Sequence, residues 1–183
     1  MAVGNSTPSA SSTFNLPNQI TILRLVLALA LFVLLSLRLP WPALFVFLLA
    51  AATDWIDGYL ARRFNQVTQL GRILDPFADK ILICGTFIFL AAEPSSGIDA
   101  WMAVVVVGRE LLVTALRSFL EQRGADFSAN MAGKLKMVFQ CAAVILSLWH
   151  LRHLTQDSAM PQLLSISLPI TVWAAVVSTV YSG

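Results

Sequence analysis

This sequence has little charge, and what little it has is unevenly placed. Of its 183 residues, 12 are Lys or Arg and 10 are Asp or Glu, or 12%, where a soluble domain carries roughly 25%. The net charge of +2 excludes the dense basic surface that binds nucleic acid. With two cysteines, Cys84 and Cys141, both in apolar runs, there is no disulfide framework. Two histidines, His150 and His153, and those separated cysteines leave no Cys/His cluster for zinc. No ten-residue stretches of alternating polar and apolar residues occur, so a membrane β-barrel is disfavoured. No basic segment precedes the first apolar stretch, and that stretch is too long for a signal peptide. Residues 1–13, uncharged and rich in Ser, Thr and Ala, read as a disordered tail.

What is abundant is apolar: 57% of residues, with a mean hydropathy of +0.76. One domain of this size has too little interior to hide that much apolar surface from water. Its solvent is lipid, and the expected class is an all-α integral membrane protein. A span needs about 20 mostly apolar residues. Six stretches qualify, at 19–37, 43–62, 74–92, 99–120, 131–151 and 163–181, making one six-helix unit over 14–183. Pro40-Trp41-Pro42 is expected to break the chain between the first two. Basic residues set the topology. Arg62, Arg63, Arg72, Lys80, Arg117, Arg123, Lys134 and Lys136 fall on one side, Arg38 and Arg152 on the other, which puts both termini in the cytoplasm.

The charges gather. Residues 54–80 hold 8 of them: Asp54, Asp57, Arg62, Arg63, Arg72, Asp75, Asp79 and Lys80. Asp54 and Asp57 are i,i+3 at the end of the second span, and Asp75 and Asp79 are i,i+4 at the start of the third, so each pair shares a helical face. If the two helices are antiparallel neighbours, four carboxylates converge. Like charges that close repel, and a divalent cation resolves the repulsion. Oxygen ligands favour Mg²⁺, Mn²⁺ or Ca²⁺, and four carboxylates suffice for two ions, a recurring device of phosphoryl chemistry. The same spacing also fits interfacial salt bridges to Arg62, Arg63, Arg72 and Lys80. Gly58 and Gly71 admit close approach of a ligand to the backbone, and Arg62 suits a phosphate; helix packing and snorkelling are the structural alternatives.

Taken together, Asp54-x2-Asp57-Gly58-x2-Ala61-Arg62-x8-Gly71-x3-Asp75-x3-Asp79 resembles the signature of the CDP-alcohol phosphotransferases, matching all eight fixed positions. Asn15 to Arg24, Arg109-Glu110 with Arg117, and Gly133-Lys134-Leu135-Lys136 resemble, within that family, the phosphatidylglycerophosphate synthases; Gly108 stands where they often have Ala. The resemblance implies a six-helix fold and transfer of a phosphatidyl group from CDP-diacylglycerol to sn-glycerol 3-phosphate, with release of CMP. It implies Asp54, Asp57, Asp75 and Asp79 as ligands of Mg²⁺ or Mn²⁺, with Asp79 also the general base. Asn18, Thr21, Gly58, Ala61, Arg62 and Gly71 match positions of the CDP site. It further implies a homodimer in the cytoplasmic (inner) membrane.

The acceptor phosphate needs its own cations. Arg109 lies within an apolar span with Glu110 beside it, Arg117 lies eight residues on, and Lys134 and Lys136 open the fifth span on the same side, so these four are the candidates; a structural network centred on Arg109 and Glu110, and positive-inside topology for the lysines, are the alternatives. Inositol phosphate, serine or phosphatidylglycerol are alternative acceptors. A small ion transporter is the alternative from another class; the absence of an internal repeat and the one-sided charge cluster weigh against it.

Overall fold

Long runs of Leu, Val, Ala, Ile and Phe offer their backbone no partner in lipid except itself, and each run closes into a helix. The computed structural model describes residues 16–64, 69–121, 123, 131–155 and 162–182; side chains at 16–18, 20, 54–64, 69–76, 121, 131, 132, 134 and 155 fall outside that description. The six helices are α1 (Leu16–Ser36), α2 (Pro40–Phe64), α3 (Gln69–Ala91), α4 (Ala100–Glu121), α5 (Met131–Thr155) and α6 (Gln162–Tyr181). All regular structure among the described residues is helical. The expected tail, residues 1–13, lies outside them.

Boundaries follow local chemistry. α1 closes in a Schellman turn: the Leu39 amide donates to the Leu34 carbonyl and the Arg38 amide to that of Leu35, each at 3.0 Å, with Arg38 left-handed at φ 55°. Pro40 and Pro42 do not break the chain as a linker. They sit in the first turn of α2, where the missing N–H would have no helical acceptor. α3 begins at Gln69 rather than 74, so the segment around Gly71 is helical as well. Between α3 and α4, Gly97 (φ +76°) turns the chain tightly against α6: a Cβ there would meet Leu168 Cδ2 at 2.9 Å. The Asp99 carbonyl takes the amides of Met102 and Ala103 and starts α4.

α1 packs on both α2 and α3, α5 packs along α6, and contacts of α2 and α3 with α5, of α3 with α4 and of α4 with α6 close the bundle. Ala28, Leu31, Phe47, Phe87, Leu90, Val106, Val144, Leu148 and Val172 form the centre of one core. Gly85 lets α1 approach α3, because a Cβ there would lie 2.2 Å from Phe32 Cζ. The Phe32 ring stacks on Phe89 at 5.2 Å between centroids. Helix hydroxyls bond back along their own helices, as Thr86 does to Leu82, Thr114 to Glu110 and Thr171 to Ser167, which satisfies them without water.

The outside is as apolar as the inside. Val26, Leu29 and Val33 on α1, Phe45 on α2, Val104 and Leu112 on α4, Val138 on α5 and Ile170 and Val177 on α6 are all exposed. Apolar surface this continuous belongs against lipid. Leu135–Leu154 and Gln162–Tyr181 are each long and apolar enough to cross a bilayer, while Thr21–Ser36 and Pro40–Thr53 are shorter apolar stretches. Arg152 lies over the Trp41 ring at 3.9 Å, and Arg38 meets Glu93 at 3.4 Å, at the end of the bundle away from Asp79. Cys84 and Cys141 are not joined in a disulfide.

Candidate active site

Successive helices run up and down, so the starts of α1, α3 and α5 and the ends of α2, α4 and α6 meet at one end of the bundle. The polar contacts between helices are concentrated there.

The first centre joins α1 to α3. Thr21 and Arg24 lie one turn apart on one face of α1, and both are buried, Arg24 with 1% of its side chain exposed. The Arg24 Nη1 donates to Asp79 Oδ1 at 2.5 Å, a charge-assisted bond between residues 55 apart in the chain. The Asp79 carboxylate is 30% exposed, so it keeps access to the outside while held from behind. Sequence reasoning placed Arg24 in a motif but gave it no role. The signal was present: it is the only charge in the 21-residue α1.

Of the other predicted residues around this centre, Asp54, Asp57, Gly58, Ala61 and Arg62 lie on the last turns of α2, and Gly71 and Asp75 on the first turns of α3. Their side chains, and that of Asn18 on α1, lie outside the described residues. Among the described residues no three His, Cys, Asp or Glu side chains come together. Asp79 is the member of the four-Asp set that is described. A set made only of carboxylates has the donor chemistry of a hard divalent cation.

The second centre joins α4, α5 and α6. Glu110, 9% exposed, takes the Lys136 ammonium on Oε1 at 2.5 Å. Gln140, one turn beyond Lys136 on α5, donates from Nε2 to the same oxygen at 3.3 Å and to Thr179 Oγ1 at 3.0 Å. Arg109 Nη1 lies 3.6 Å from Glu110 Oε1, and its Nη2 donates to Ser182 Oγ at 2.8 Å. Lys80 lies next to Asp79 on α3. Of the four acceptor candidates, Arg109 and Lys136 thus share one carboxylate. Arg117 is exposed further along α4. The Lys134 side chain lies outside the described residues. Gln140, Thr179 and Ser182 escaped sequence reasoning; the i,i+4 spacing of Lys136 and Gln140 was their only local sign.

Two polar centres thus lie at one end of an apolar bundle, Arg24 with Asp79 between α1 and α3, and Glu110 with Lys136, Arg109 and Gln140 between α4, α5 and α6. Residues 14–181 match the family model described as CDP-alcohol phosphatidyltransferase. A Bacillus subtilis (strain 168) protein named CDP-diacylglycerol–glycerol-3-phosphate 3-phosphatidyltransferase is 37% identical, over 93% of this chain and 92% of that protein. Proteins of the same name from Salmonella choleraesuis (strain SC-B67) and Escherichia coli (strain K12) are each 31% identical, over 88% of this chain and 91% of theirs.

Proposed function

The chain belongs to the CDP-alcohol phosphatidyltransferase family, and from that membership we propose that it transfers a phosphatidyl group from CDP-diacylglycerol to the 1-hydroxyl of sn-glycerol 3-phosphate, releasing CMP. The supporting observation is that near-full-length relatives from three bacteria carry the name of that reaction. The complete eight-position motif lies within the matched region.

In this reading Asp54, Asp57, Asp75 and Asp79 hold divalent metal, Mg²⁺ or Mn²⁺, as two ions. Bound there, the metal supplies neutralisation of pyrophosphate charge as the bond to CMP breaks. Asp79 takes the proton of the attacking hydroxyl. Arg24 holds Asp79 through Oδ1. Asn18, Thr21, Gly58, Ala61, Arg62 and Gly71 receive the CDP moiety, with Arg62 on a phosphate. Arg109 and Lys136, with Arg117 and Lys134 as further candidates, receive the phosphate of the acceptor. The motif contains no Ser, Cys or His, so a direct displacement is simpler than one through a covalent enzyme intermediate. The six helices span the cytoplasmic (inner) membrane with both termini inside, and the chain pairs as a homodimer.

The test is CMP release by the purified full-length protein from CDP-diacylglycerol, across a panel of acceptors, with and without Mg²⁺ or Mn²⁺. Glycerol 3-phosphate is expected to be used in preference to inositol phosphate, serine and phosphatidylglycerol. Activity confined to a non-phosphorylated acceptor overturns the acceptor assignment, and cation transport without CMP release overturns the enzyme.

A further inference from the structure

Glu110 has no place in the eight-position motif, yet it sits at the centre of the second polar cluster. Its Oε1 takes Lys136 at 2.5 Å and Gln140 at 3.3 Å, and lies 3.6 Å from Arg109. Donors of this kind, two of them charged, converging on one oxygen inside an apolar bundle are what a phosphate oxygen requires. The charge balance points the same way. Among the described residues, two cations face the Glu110 carboxylate, Lys136 at 2.5 Å and Arg109 at 3.6 Å. Arg109 Nε is buried without a hydrogen-bond partner, a donor left over after Glu110 and Ser182 are served.

Resting on the acceptor reading above, we propose that Glu110 is an internal stand-in for the phosphate of the acceptor: its carboxylate engages the donors that a phosphate monoester takes, and yields them only to a dianion. The consequence is selectivity. A neutral hydroxyl compound or a monoanion does not win the Lys136 ammonium from a buried carboxylate, whereas a doubly charged phosphate does. Gln140 bonds both Glu110 and Thr179, so the exchange is also felt by α6.

The experiment measures thermal unfolding of the full chain in detergent, titrated with inorganic phosphate or sn-glycerol 3-phosphate, with potassium chloride at matched ionic strength as control. Glu110→Gln keeps the shape and removes the charge, leaving the cations without their counter-anion. This variant is expected to unfold at lower temperature without ligand, yet to reach half-maximal protection at a roughly tenfold lower phosphate concentration than the parent chain. An unchanged or higher concentration overturns the proposal. So does protection matched by chloride, or protection by phosphatidate in the micelle with none from the soluble phosphates. Should Glu110→Gln not fold, the double variant Glu110→Gln/Lys136→Met removes both charges of the pair. Loss of most phosphate protection in it supports the proposal, and parental protection overturns it. These readouts need no turnover, so failure of glycerol 3-phosphate to release CMP counts against the acceptor reading alone.

Discussion

Arg38 closes α1 in the left-handed region, where an L side chain costs roughly 1–2 kcal/mol and glycine costs little. Its ion pair with Glu93 is 3.4 Å long and three-quarters exposed on the arginine side, so it returns little. Arg38→Gly is therefore expected to stabilise the chain by about 0.5–1 kcal/mol, read as a higher unfolding temperature in detergent; a lower one would show that the surface pair matters more than the backbone. Asp79 presents the opposite case. Asp79→Asn leaves the buried Arg24 guanidinium facing a neutral amide, so both stability and proton transfer suffer. CMP release is expected to fall by roughly 10²–10⁴-fold while CDP-diacylglycerol binding survives in part, and a fully active variant removes Asp79 as base. The candidacy of Asp79 could be seen from spacing, because carboxylates at i,i+4 are a local pattern. Its bond to Arg24 could not, because it joins residues 55 apart and depends on how α1 and α3 pack.

At the scale of the helix, composition revealed the elements better than their ends. Prolines 40 and 42 were expected to break the chain between two helices; the break falls just before them, at 37–39, and α2 starts on Pro40, because the first turn of a helix tolerates the missing N–H. The α1–α3 seam rests on Gly85. A methyl group there would push into the Phe32 ring, which Phe89 already backs. Gly85→Ala is expected to destabilise by about 1–3 kcal/mol, as overpacking does, measured by denaturant or thermal unfolding. Equal stability would mean that Phe32 can swing aside at no cost. The α4–α5–α6 contact was the least legible part of the site. Glu110 stood out beside Arg109 in an apolar span, but Gln140 and Thr179 look ordinary on their own helices, and only the packing of three helices makes them one network.

Across the whole molecule, the contrast between an apolar majority and a few gathered charges was readable from composition alone, because it needs no knowledge of contacts. The structure adds that the inter-helix polar contacts cluster at the end of the bundle where Asp79 lies, and that apolar side chains line the outside. On the proposed reading, an all-carboxylate ligand set would make activity depend on added divalent cation. EDTA is expected to stop CMP release, and Mg²⁺ or Mn²⁺ to restore it; turnover persisting after thorough chelation would remove the metal from the mechanism.

The Arg24–Asp79 bond also bears on how the chain is made. α1 leaves the ribosome before α3 and carries a cation meant for the interior of the bundle, while the Asp79 carboxylate that it meets arrives only with α3. An unpaired arginine in an inserting helix is penalised by roughly 2.5–3.5 kcal/mol at mid-membrane depth, and less near the interface. The first helix therefore gains by staying beside the insertion machinery until the third has emerged. Biogenesis becomes a matter of sequence order: a nascent chain halted after α1 should integrate less completely than one halted after α3, and replacing Arg24 with leucine should reduce that difference.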